Sequence, residues 1–336
     1  MPGFLDWLAI PAGRVPRIAS HLAWRDHLGA CLARWGIGRM SYLVPPGLYA
    51  IGQPTAAAPV IVTANYKMTY DIVRRALDGC DIWLLVLETY GINVWCAAGK
   101  GTFGTDELVR RVEASGLARV VSHRRLILPI LGAAGVAAHQ VARRCGFTVS
   151  YAAIRATDLP EYLRNGMVTT PTMRTLTFSL YERLVLIPVE VVLQLKTLAV
   201  TSALVMLAGA LAGNFALALT ALGAFLGATF CGLVAGPLLL PWLPGKSFAV
   251  KGLAVGLLWT LFFYAWSGGD WSPLATAAAL FLLPAVSAYH TLNFTGCTPF
   301  TSRSGVKKEL RLGLPAMVAA LALGGLLLVL NRFSPM

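Results

Sequence analysis

The sequence predicts an α/β fold, a Rossmann-like parallel sheet, followed by an all-α transmembrane domain of five helices. Three observations carry that prediction. Near-continuous apolar runs alternate with amphipathic stretches between residues 59 and 154, as buried parallel strands and their crossover helices do. Charge is uneven: residues 1–180 hold 19 of the 28 Lys+Arg and 11 of the 15 Asp+Glu, whereas only Lys246, Lys251 and Asp270 are charged between Thr197 and Ser302. The 336 residues are 57% hydrophobic and only 13% charged, too apolar for a soluble enzyme of this length. The boundary is expected near residue 180, with residues 1–180 cytoplasmic and residues 181–336 in the membrane.

Within the first domain, Pro59–Asn65 and Asp81–Thr89 read as buried strands, and Arg119–His123 and Thr148–Ile154 as shorter ones. Helices are expected at Met68–Leu77, Thr105–Gly116 and Gly132–Gly146. The second opens on a capping-box-like Thr-x-Glu and stops at a glycine. Ligands of such sheets bind beyond the carboxyl ends of the strands. Those ends fall at Thr63-Ala64-Asn65, Glu88-Thr89 and His123-Arg124.

A span of about 20 apolar residues crosses a bilayer. Five stretches qualify: Glu190–Leu211, Phe215–Leu240, Phe248–Trp266, Pro273–Leu292 and Leu312–Leu330. Basic residues follow the second span (Lys246, Lys251) and the fourth (Arg303, Lys307, Lys308, Arg311), so these loops are expected inside, with the C-terminus outside. The pairs Gly223/Gly227, Gly232/Gly236 and Gly252/Gly256 suit close helix packing within the chain. No span carries the buried charges that an ion pump needs. The polar run Asn293–Glu309 reads as a solvated loop, with a docking surface as the sharper reading.

The net charge of +13 comes without any nucleic-acid-binding pattern, so no nucleic-acid partner is expected. No signal peptide is expected either. The six cysteines lack any C-x-x-C spacing, which argues against a disulfide framework, a zinc site or an iron–sulfur cluster.

The informative stretch is NVWCAAGKGTFGT, residues 93–105. Gly99-x-Gly101-x-x-Gly104 formally matches a dinucleotide loop, but about ten residues separate it from the preceding strand, where that loop needs none. The alternative centres on Cys96. Asn93 suits the cap of a short helix Val94–Lys100, which sets Cys96 in its first turn with Lys100 one turn on. Both the helix dipole and the lysine favour a metal-ligating thiolate. The competing reading is a buried, inert cysteine.

The segment Gly38–Glu190 resembles the corrinoid-binding domain of the mercury-methylating corrinoid protein family, and more distantly that of the corrinoid iron–sulfur protein of the acetyl-CoA pathway. The resemblance rests on VPPGLYAIGQP (44–54), VTANYK (62–67), GINVWCAAGKGTFGT (91–105), SHRRLILP (122–129) with GAAGV (132–136), and the five spans that follow. It implies a cobalamin-type corrinoid between the sheet edge and the helix at Asn93–Gly101, with Cys96 as catalytic residue and lower cobalt ligand. The pocket residues it implies are Thr63, Asn65, Thr89, Asn93, Val94, Trp95, Cys96, Ala97, Ala98, Gly99, Lys100, Gly101, Thr102, Phe103, Gly104, Thr105, Gly132, Ala133, Ala134, Gly135 and Val136. There is no Asp-x-His-x-x-Gly to supply a histidine ligand, and His123 reads as a rim or core histidine. The implied activity is a corrinoid-dependent methyltransferase acting on Hg(II), with a methylated folate-type donor and a separate ferredoxin-like iron–sulfur protein as reductant. A methyl carrier for another acceptor is the second reading, and a dinucleotide-binding membrane oxidoreductase the third.

Overall fold

The structure, a computed structural model, describes residues 1–212, 215–299 and 301–333. Phe300 in the polar run and Met336 at the C-terminus lie outside the described residues. The chain forms two compact units, Met1–Leu176 and Thr177–Met336. The expected boundary at residue 180 falls inside a helical turn of the second unit, whose cap is Ser179.

The first unit runs β1 (Phe4–Ile10), β2 (Gly13–Ile18), α1 (Trp24–Arg34), β3 (Gly47–Ile51), β4 (Val60–Ala64), α2 (Lys67–Ala76), β5 (Ile82–Leu87), α3 (Val94–Lys100), α4 (Thr105–Ala114), β6 (Arg125–Leu128), α5 (Ala138–Cys145), β7 (Thr148–Tyr151) and α6 (Leu159–Arg164). One seven-stranded sheet has the order β1-β2-β3-β5-β4-β6-β7. The block β5-β4-β6-β7 is parallel, as the alternating pattern predicts. The sheet as a whole is mixed, not purely parallel: β3 runs antiparallel to β5, and β1 and β2 form a hairpin at the far edge. The hairpin escaped the sequence reading: β1 is apolar, FLDWLAI, but mostly exposed, and β2 holds Arg14, Pro16 and Arg17.

β4 and β5 are buried on both faces, which explains their unbroken apolar runs. Val62, Leu85, Leu87, Ala97, Phe103 and Leu108 belong to one core layer; Ile61, Tyr70, Leu77, Leu84 and Tyr162 belong to the other. Leu77, Phe103 and Leu108 are fully excluded from solvent.

Two expected elements are corrected. Arg119–His123 is not a strand: Gly116 takes a left-handed φ of 60°, and a 3-10 turn over Leu117–Arg119 leads into an irregular segment. The strand starts later, at Arg125, so His123-Arg124 lies at the amino end of the sheet, opposite the proposed site. His123 is satisfied there: its Nε2 lies 2.9 Å from the Ala58 carbonyl oxygen, and Nδ1 accepts from the Arg125 N–H at 3.2 Å. Gly132–Gly146 is helical only from Ala138. The Ala137 N–H is taken by the Thr105 hydroxyl at 2.8 Å, which holds the preceding residues as a turn. That same bond removes Thr105 from the expected cap of α4, whose capping position is Gly104.

A buried ion-pair cluster fastens α1 to α2. Lys67 bridges Asp26 (2.6 Å) and Asp71, while Arg74 bridges Asp26 (2.7 Å) and Asp71 (2.8 Å). Two positive and two negative groups balance, so none is left buried and unpaired.

In the second unit, α7 (Leu180–Leu184), α8 (Ile187–Ala212), α9 (Phe215–Phe230), α10 (Gly236–Leu239), α11 (Phe248–Trp266), α12 (Pro273–Asn293) and α13 (Arg303–Phe333) give five stretches long and apolar enough to cross a membrane: Leu180–Ala212, Phe215–Leu239, Phe248–Trp266, Pro273–Gly296 and Ser304–Phe333. A π-helical turn, Cys231–Ala235, joins α9 to α10. The first and last exceed their expected bounds because flanking polar turns stay helical. The basic part of the expected loop is thus already the start of α13. Glu309 there accepts from the Ser247 hydroxyl (3.0 Å) and from the N–H groups of Phe248 (2.8 Å) and Ala249 (3.2 Å), capping α11 from another helix. The small-residue pairs pack inside the chain. A side chain at Gly232 would meet Ser287 and His290, and one at Gly252 would meet Ala288 and Thr291.

Candidate functional site

The parallel strands β4, β5, β6 and β7 end on one edge, and everything above that edge is held by a few buried polar groups. Asn65, fully buried, donates to Glu88 Oε1 (2.6 Å) and accepts from the Thr89 N–H (3.0 Å). The Thr89 hydroxyl sits 2.9 Å from Asn65 Oδ1 and 2.8 Å from the Ile92 carbonyl oxygen, so its single proton serves one of them. Glu88 also accepts from the Tyr90 N–H (2.9 Å). These bonds impose the turn at Tyr90 (φ 54°) and Gly91 (φ 73°), a left-handed conformation that Tyr90 adopts against its steric preference.

The turn delivers the chain to Asn93, whose Oδ1 accepts from the Cys96 N–H at 2.9 Å and caps α3. Val94, Ala97 and Ala98 face the core. Ala97 and Ala98, among the implied pocket residues, pack inward. The exposed side of α3 carries Trp95, Cys96, Gly99 and Lys100. Cys96 is not a buried, inert cysteine; its side chain is exposed.

The glycines of 99–104 serve packing. Gly101 ends α3 in a left-handed conformation (φ 84°), and a β carbon at Gly104 would meet the Gly101 carbonyl oxygen at 2.6 Å. Phe103 is fully buried against Gly132, and Gly135 presses on Ala98 and on the Phe103 carbonyl. A phosphate loop needs glycine N–H groups open toward a helix end; here Gly99 lies within α3 and Gly104 is buried. The dinucleotide reading loses its geometric basis.

The structure thus sorts the expected pocket residues. Asn93, Trp95, Cys96, Gly99, Lys100 and Gly101 are exposed together along α3, and exposed Ala133 and Ala134 lie in the turn whose Gly132 and Gly135 touch Phe103 and Ala98. Thr102 and Thr105 are partly covered at the far side. Val94, Ala97, Ala98, Phe103, Gly104, Gly132 and Val136 support the surface from beneath. Thr63, Asn65 and Thr89 are buried below the edge, and Thr63 Oγ1 has no protein partner. Met40, Leu43 and Tyr90 escaped the sequence reading. Gly91 lies against Leu43 and the Met40 carbonyl, and all three residues are exposed beside α3's entry. The available signal was the apolar set Ile37, Met40, Tyr42, Leu43 between Gly36 and Pro45.

Among the described residues no three His, Cys, Asp or Glu side chains converge. A soft metal reaching Cys96 would have to arrive with its other ligands already supplied, which is the donor set of a metal macrocycle. Among the exposed residues of this surface, Gly99, Gly101, Ala133 and Ala134 carry nothing larger than a methyl group, and Gly101 has open space where a β carbon would stand. These residues fit a large flat group. Shallow depressions of about 270 and 400 Å³ lie elsewhere, beside Arg111 and beside His123; the region at Cys96 is an open face.

Residues 38–152 match the family model described as CO dehydrogenase/acetyl-CoA synthase delta subunit. Similar curated proteins are named acetyl-CoA decarbonylase/synthase complex subunit gamma. That of Methanopyrus kandleri is 35% identical over 122 residues, 36% of this chain and 26% of the relative. That of Methanocaldococcus jannaschii is 33% identical over 130 residues, covering 38% and 26%. That of Archaeoglobus fulgidus is 37% identical over 92 residues, covering 27% and 20%. The chain spans about a quarter of the length of the first two. These matches overturn the resemblance to the mercury-methylating family: the names they carry belong to acetyl-CoA synthesis and breakdown. An enzyme that methylates Hg(II) is accordingly withdrawn, and Hg(II) and a folate-type donor find no support. The feature that had favoured mercury was the set of five apolar spans, which lies outside the matched residues and says nothing of the methyl acceptor. The cofactor stands: the acetyl-CoA synthase family matched here binds a corrinoid.

Proposed function

We propose that the first unit is a corrinoid-carrying methyl carrier of one-carbon metabolism, held at a membrane by the second. The observation that carries this reading is the exposed Cys96 side chain on a capped helix at the carboxyl edge of the sheet, inside the segment similar to the acetyl-CoA synthase family. A bound corrinoid supplies the cobalt that accepts and releases the methyl group.

The chain's own residues hold and tune that group. Cys96 would supply a thiolate to the metal of the bound group, and Asn93 fixes the backbone that carries it. Asn65, Glu88 and Thr89 keep the turn before α3 in one conformation, so that the sulfur is positioned in advance. Trp95 forms an apolar wall beside it. The cysteines have no cluster-binding spacing, so a separate iron–sulfur protein is the proposed reductant. The first unit faces the cytoplasm in this reading, because the basic loops adjoin the even-numbered span ends.

The test uses the full chain purified in detergent and loaded with a cobalamin-type corrinoid. About one cobalt per chain is expected, with a visible spectrum that changes in Cys96→Ala. Failure of the wild-type chain to retain cobalt contradicts the carrier reading; an unchanged spectrum in the variant contradicts the ligand role alone.

A further inference from the structure

Helix α1 is turned the wrong way round for a soluble domain. Its buried residues are Asp26 and Ala33, whereas Trp24 (68% exposed), Leu28 (44%), Leu32 (37%) and Trp35 (48%) face outward. Their spacing, i, i+4, i+8, i+11, sets them along one side of the helix. Asp26 points inward because Lys67 and Arg74 pair with it there. The exposed apolar run continues past the helix into Ile37 and Met40.

The charges that α1 itself exposes have one sign, although exposed Asp78 lies beside Ser20 and His21 ahead of the helix. Asp6 and Asp26 are the only acidic residues before Asp71, and both are ion-paired, Asp6 with Arg17. Among the described residues, that leaves Arg25 and Arg34 as the charges α1 presents. An apolar stripe with tryptophan at both ends and arginine at its margins matches an anionic lipid surface: indole suits the interface, and arginine reaches headgroup phosphate.

We propose that α1 lies in the headgroup–acyl boundary of the bilayer crossed by the second unit, with Trp24, Leu28, Leu32 and Trp35 inserted. The inference rests on reading the five long apolar helices as membrane spans, which keeps a bilayer within reach of the tethered first unit. A second copy of the chain is the rival occupant.

The full chain is reconstituted into vesicles containing anionic lipid, with a benzophenone amino acid replacing Leu28, or His139 on α5 as an exposed control. Flotation with the vesicles after alkaline washing reports insertion of the second unit. Ultraviolet light should then give a lipid adduct at position 28 and none at position 139. The adduct should fall roughly fivefold for each of Arg25→Glu and Arg34→Glu. A chain-to-chain adduct, no adduct, or equal lipid adducts at both positions in a floated sample overturns the inference. A chain that fails to float overturns the membrane reading and this inference with it.

Discussion

At Cys96 the side chain is exposed while its helix is anchored from below, and this separates chemistry from stability. Cys96→Ala should therefore leave the unfolding midpoint of the first unit nearly unchanged, within about 0.5 kcal/mol. Asn93→Ala removes the side chain that accepts the Cys96 N–H, at a cost of about 1 kcal/mol. The readout is faster hydrogen exchange at Cys96, with little change in the sheet. Both residues were legible in the sequence, because a capping asparagine three positions before a cysteine is a local pattern. The roles of Asn65 and Thr89 were not. The family resemblance implied pocket lining for them, and only tertiary structure shows their polar groups holding the 88–92 turn.

The elements above the sheet edge depend on close packing that local pattern does not report. Gly135→Ala would drive a β carbon into the Phe103 carbonyl and within 3.0 Å of Ala98 Cα, so a loss of about 1–3 kcal/mol is expected in a denaturant titration. Gly132 to Val136 read as the start of a helix for the same reason: nothing local reveals that Thr105 claims the Ala137 N–H. α1 supplies the pH dependence. Burial alone would raise the Asp26 carboxyl, but the Lys67 hydrogen bond, the Ala23 N–H and the charges of Lys67 and Arg74 outweigh it and hold it below the ordinary value. A depressed folded value stabilises above the unfolded pKa of about 4, and that contribution is lost as pH falls through the folded value. Asp26→Asn should cost roughly 3–5 kcal/mol near neutral pH. Its deficit against the wild type should shrink below about pH 4, as chemical denaturation across pH would show. The alternating strand and helix runs made β4, β5, α2 and α4 readable to within a residue or two. The β1–β2 hairpin and antiparallel β3 were missed: β2 carries two arginines and a proline, and the buried five-residue run GLYAI of β3 is too short for pattern alone to mark as a strand.

For the whole molecule, length and hydropathy were enough to reveal five helices long and apolar enough to cross a membrane, while the helical start of α13 was hidden by its polar composition. Its Glu309 cap joins residues 61 positions apart in the case of Phe248, beyond any local signal. Reversing the basic charge after the second span, Lys246→Glu with Lys251→Glu, should produce a mixed orientation, read by protease access to the first unit in sealed vesicles. The two units were also of unequal value for function. The five apolar spans suggested an acceptor that the comparisons then overturned, whereas residues 93–105 left a nucleotide and a metal open until the family resemblance implied a corrinoid. The most direct measurement of the central claim is electron paramagnetic resonance of the full chain loaded with Co(II) corrinoid, for wild type and Cys96→His. With sulfur as axial ligand the cobalt lines stay unsplit in the wild type, and in the histidine variant each becomes a triplet through ligand nitrogen. Identical spectra from the two chains would contradict it.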